Sequence, residues 1–72
     1  MDYWVVFERC EDGGYSVYVP DLPGCVSAGD DLDEAKRMIA EAIQLHIESL
    51  REHGDPVPPP TTKAMLVHSD AA

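Results

Sequence analysis

The sequence predicts a two-layer α+β domain, one helix on a small sheet, in the order β-β-β-α-β. Three observations predict it. Three short runs of β-branched and aromatic residues are separated by glycine and proline turns. One long stretch then has apolar residues at helical spacing, and a last apolar run follows a proline-rich connector. With 72 residues, the chain is expected to be a single domain spanning 1–72, with no room for a second one. A compact chain of this size exposes roughly 4,400 Å² against about 11,500 Å² unfolded, enough for one thin core.

Met1 to Arg9 reads as the first strand, because Tyr3, Trp4, Val5, Val6 and Phe7 are all β-branched or aromatic. A run apolar on both faces suggests cover on both sides. Asp12-Gly13, followed by Gly14, predicts a hairpin with a type I′ turn, which needs positive φ at both central positions. Tyr15 to Val19 alternates: Tyr15, Val17 and Val19 face one way, Ser16 and Tyr18 the other. Pro20 ends that strand for want of an N–H. In Asp21-Leu22-Pro23-Gly24, proline presets φ at the second turn position and glycine supplies positive φ at the third, as a type II turn requires. Cys25 to Ala28 makes a short third strand that Gly29 breaks.

Asp31 is a good N-cap and Glu34 stands three residues on, as in a capping box. From there Leu32, Ala35, Met38, Ile39, Ala42, Ile43, His46, Ile47 and Leu50 recur at helical spacing. Gly54 suits the position after the helix and Pro56 blocks continuation, so the helix is placed at about 32–53. Its apolar stripe, with Leu45 and Ile47 included, is about 200° wide, broader than one sheet face needs. That surplus and the thin core predict a homodimer or tetramer with Leu45 and Ile47 in its interface. Pro56, Pro58, Pro59 and Pro60 form a stiff extended connector. Lys63 to His68 then reads as a fourth strand.

Fourteen acids against five bases give a net charge of -9. Such a domain repels phosphate backbones, which argues against direct nucleic-acid binding and for a basic protein partner. No run approaches the ~20 apolar residues of a membrane span. The N-terminus has no basic, signal-like start, so a cytoplasmic location is expected. There Cys10 and Cys25 are free thiols.

Residues for chemistry are sparse. There is no CxxC pair, no HExxH and no glycine-rich phosphate loop. His46 and His53 lie two helical turns and about 10.5 Å apart, too far for one metal. Two-metal nucleases need carboxylates converging on central strands. Here those positions hold Val5, Val6, Val17 and Val19, with Asp2 and Glu8 at the strand ends. No catalytic residue, metal or cofactor is expected, and the chain reads as a binding module rather than an enzyme.

Several motifs occur in a specific order. Asp12-Gly13-Gly14-Tyr15 precedes Tyr18-Val19-Pro20-Asp21-Leu22-Pro23-Gly24-Cys25. Ser27-Ala28-Gly29-Asp30 and Glu34-Ala35 follow. Over about residues 3–50 this resembles the HicB family of antitoxins. The resemblance implies a partial RNase H-like β-β-β-α-β fold without nuclease carboxylates. It also implies a type II toxin–antitoxin role, in which the domain covers the active surface of HicA, a small basic mRNA-cleaving ribonuclease. Many family members add a C-terminal DNA-binding domain; this chain is expected to lack one and not to bind an operator alone. The alternative is an orphan HicB-like oligomer without a cognate toxin.

Charge alone gives no specificity, because rim ion pairs contribute little. Aromatic anchors outside the core are expected to supply it: Trp4 and Tyr18, which point away from Tyr15 and Val17 if the strands pair in the usual register. The acids Asp30, Asp31 and Asp33 are the second expected contact group, alongside their role at the helix start.

Overall fold

A computed structural model describes residues 1–71. Its order is β1 (Val6–Arg9), β2 (Tyr15–Tyr18), β3 (Val26–Gly29) and α1 (Leu32–Glu52). The strands form one antiparallel sheet in the order β1-β2-β3. The α+β class and the β-β-β-α order are therefore as the sequence predicts.

Register follows the alternation of β2. Phe7, Val17 and Ser27 lie side by side, as do Arg9, Tyr15 and Gly29; these rows face the helix. The intervening rows, Val6-Tyr18-Val26 and Glu8-Ser16-Ala28, face the other way. The buried core is Val17, Val19, Leu22, Cys25, Ala35 and Ile39. Tyr3, Val5, Phe7, Tyr15, Ala42, Ile43 and Ile47 pack around it. The helix lies chiefly over β3, less over β2, and barely meets β1.

The helix ends as its sequence dictates. The Glu34 N–H donates to Asp31 Oδ1 at 2.8 Å, an N-cap bond. The Glu34 carboxylate reaches back to the Asp30 N–H at 3.1 Å, one residue before the usual box partner. At the other end Gly54 has φ of 71°, the Gly54 N–H donates to the Arg51 carbonyl and the Asp55 N–H to the Leu50 carbonyl. These two bonds make a Schellman cap.

Three expectations are corrected. The β1–β2 turn is not type I′, because Asp12 is not among the residues with positive φ, which among the described residues are all glycines. The Gly13 N–H donates to the Cys10 carbonyl, Gly13 has φ of 92°, and the Cys10 N–H donates to the Gly14 carbonyl. This is a type I turn over Cys10–Gly13 closed by a glycine bulge, which keeps positive φ at Gly13 and needs none at Asp12. Asp12 Oδ1 accepts from the Gly14 N–H at 2.9 Å and holds that geometry. The first strand begins at Val6, not Met1. Val6 pairs with Tyr18, the last residue of β2, and the chain then turns away, so the preceding residues have no ladder partner. Lys63 to His68 forms no strand. The connector before it is pinned at the start of β1, and the segment leaves from there with Met65, Leu66 and Val67 exposed.

The corner after β2 is a double turn. The Leu22 N–H donates to the Val19 carbonyl, the Cys25 N–H to the Leu22 carbonyl, and the Val19 N–H to the Cys25 carbonyl. Gly24 has φ of 85°, matching the type II expectation. A Cβ there would meet nothing within 4 Å, so only the backbone resists substitution. Gly24→Val is expected to destabilise by roughly 1–3 kcal/mol. An unchanged urea midpoint would contradict this reading of the corner.

Candidate functional site

The face of the sheet away from the helix carries an exposed apolar band. Tyr18 and Val26 are 38% and 65% exposed, and Val6 beside Tyr18 is half-buried. Trp4, two residues before Val6 and so on the same side of an extended chain, is 54% exposed. Trp4 and Tyr18 thus stay outside the core, the arrangement needed for partner anchors. Val6 and Val26 were missed by sequence reasoning. Only the pairing register, which sets them either side of Tyr18, reveals them.

The acids Asp30, Asp31 and Asp33 are all exposed at the start of α1. Asp31 is occupied as the N-cap, and Asp33 is a first-turn acid. Of the three, Asp30 lines a shallow hollow of about 270 Å³, together with Cys10, Asp12, Gly14, Tyr15 and Glu34, among others. None of Trp4, Tyr18 and Val26 lines that hollow. Of the two residues expected at an oligomer interface, Leu45 is 59% exposed, whereas Ile47 packs against this chain's own core.

The groups that could do chemistry are dispersed. Among the described residues no three His, Cys, Asp or Glu side chains gather as a metal site. Cys10 is exposed; Cys25 is buried, and burial pushes its thiol above the ordinary value. His53 Nδ1 donates to the Ser49 carbonyl at 2.7 Å, His68 pairs with Asp70 in the open, and His46 is half-buried on α1. No described helix is long and apolar enough to cross a membrane.

Asp21 does what its turn position did not foretell. Its Oδ2 accepts from the N–H groups of Thr61 and Thr62 at 3.0 and 2.9 Å. Its Oδ1 accepts from their hydroxyls at 3.0 and 2.8 Å. Nearby, the Tyr3 hydroxyl donates to the Pro58 carbonyl at 2.6 Å. Together these bonds fix the connector across the sheet end beside Trp4. The Thr62 N–H above all, then the threonine hydroxyls and the Thr61 N–H, hold the Asp21 pKa below its ordinary 3.8, against partial desolvation. A depressed pKa stabilises the fold above the unfolded value, and that contribution is lost as pH falls through the lower folded value. The connector is therefore expected to stay clamped at pH 5 and release only below 3.8. Asp21→Ala should release it at neutral pH. Amide hydrogen exchange at Thr61 and Thr62 checks both; slow exchange at those amides in Asp21→Ala would refute the clamp.

Residues 3–71 match the family model described as a HicB-like antitoxin of bacterial toxin–antitoxin systems. A UPF0150 protein of Thermoplasma acidophilum is 42% identical over 96% of this chain and all of its own length. A UPF0150 protein of Synechocystis is 49% identical over 79% of this chain and 72% of its own. Antitoxin HicB 1 of Photorhabdus laumondii is 37% identical over 83% of this chain, which spans 39% of that longer protein. The chain belongs to the HicB-like antitoxin family of bacterial toxin–antitoxin systems.

Proposed function

We propose that this chain neutralises a small basic ribonuclease toxin of the HicA kind by covering its RNA-cleaving surface, acting in the cytoplasm by binding and not by catalysis. The observation that carries the proposal is the exposed band of Trp4, Tyr18 and Val26 on a chain of net charge -9. Aromatic side chains with little to cover them in the free protein serve as anchors in protein interfaces. The surrounding negative field steers a cationic partner and raises its on-rate. Asp30, Asp31 and Asp33 belong to that steering charge. Leu45 is proposed to contribute to contact between copies of this chain, with Ile47 serving its own core first.

A small basic ribonuclease of the HicA kind, co-expressed with this chain, is expected to co-purify with it, more firmly at low salt. Trp4→Ala or Tyr18→Ala should speed dissociation ten-fold or more, equivalent to at least about 1.4 kcal/mol, while leaving the circular dichroism spectrum unchanged. Asp30→Asn with Asp33→Asn should instead slow association and flatten its salt dependence. Unaltered dissociation in both aromatic variants would place the interface elsewhere.

A further inference from the structure

We propose that Lys63 to His68 is an exchanged strand that adds to the free edge of β1 in a second copy of this chain. The segment is built for a sheet and is unpaired in the single chain. Met65, Leu66 and Val67 are 83%, 101% and 73% exposed. Among the described residues no backbone hydrogen bond ties this segment to a strand. In an extended chain Ala64 and Leu66 face one way and Met65 and Val67 the other, so both faces are apolar and both need cover.

The β1 edge supplies matching cover. Val6 and Trp4 lie on its outer side, and Phe7 and Val5 on its inner side, all short of full burial. The helix barely reaches β1, which leaves this edge the least protected part of the core. An open edge with apolar flanks is a template for another strand. The connector decides whose edge is used. Bonds from Asp21 to Thr61 and Thr62, and from Tyr3 to Pro58, pin it at the start of β1. Past Thr62, Ala64, Met65 and Leu66 share an open groove with Trp4 and Val5, just before β1 of the same chain.

Dimensions favour a second copy. The chain exposes 5611 Å², about 1,200 Å² more than the roughly 4,400 Å² of a compact chain this size. A standard interface buries about 800 Å² per partner. The radius of gyration, 14.2 Å, exceeds the roughly 11 Å of a compact domain this long. Reciprocal exchange about a two-fold axis covers two tails and two edges at once. The inference does not rest on the toxin reading, since it needs only this chain, although Trp4 borders both surfaces.

The full chain at tens of micromolar is expected to sediment as a dimer. In a mixed sample of isotope-labelled and unlabelled chains, filtered NMR should show contacts from the Met65 and Leu66 methyl groups of one chain to β1 of the other. Leu66→Glu and, separately, Met65→Glu should weaken dimerisation ten-fold or more; both sites are exposed in the single chain, so the monomer stays folded. A monomeric wild type, a dimer of unchanged affinity in both variants, or contacts from the segment only to its own β1 would each overturn the proposal.

Discussion

Gly29→Ala is expected to lower stability by roughly 1–3 kcal/mol, and Gly29→Val by more. Gly29 ends β3 on the face that meets the helix. A Cβ there would fall 2.8 Å from the Ala35 Cα and 3.0 Å from the Glu34 carbonyl carbon, and closer still to the Ala35 nitrogen. These are backbone atoms of the capped first turn of α1, so no side chain can swing aside. The helix must lift from β3, its chief contact, and loosen Ala35 and Ile39 from the core. Against a total of about 4–11 kcal/mol for a domain of this length, the valine variant should lose a large share of its stability. At a urea slope of about 1 kcal/mol/M, the alanine midpoint should fall by roughly 1–3 M. An unchanged midpoint would show that the helix start yields freely.

Leu22→Ala should be comparably severe, at roughly 2–5 kcal/mol. Leu22 and Val17 are the largest fully buried side chains. Leu22 sits within the double turn, where its own N–H and carbonyl are both bonded. That frame resists collapse onto the cavity left by a truncated side chain. At roughly 4–8 °C per kcal/mol for a domain this small, the thermal midpoint falls by on the order of 10–30 °C. Pro23→Ala alters an exposed neighbour on the same corner and should cost far less. Equal losses in the two variants would mean that the corner matters as backbone alone.

The contrast between Leu22 and its neighbours marks where sequence reading reaches its limit. Pro23-Gly24 was legible because turn chemistry is local: one fixed φ, one positive φ. The helix was legible for the same reason, with Asp31, Gly54 and the apolar spacing all within one segment. The outward placement of Trp4 and Tyr18 followed from strand alternation. Leu22 read as a turn residue because burial depends on where the whole corner docks. Asp21 read likewise, since its threonine partners lie forty residues away. Gly29 read as a breaker because only the packed helix shows what its missing Cβ avoids. The fourth strand failed on a different ground. Lys63 to His68 has strand composition, but composition cannot name the edge a strand will use.

The most direct test of the antitoxin role is titration of this chain into an RNA-cleavage reaction run by a small basic ribonuclease of the HicA kind. Cleavage should fall in proportion to added chain and vanish at a fixed stoichiometric ratio, while the same amount of the Trp4→Ala, Tyr18→Ala double variant leaves substantial cleavage. Undiminished cleavage at several-fold excess of the native chain, at low salt, would contradict it.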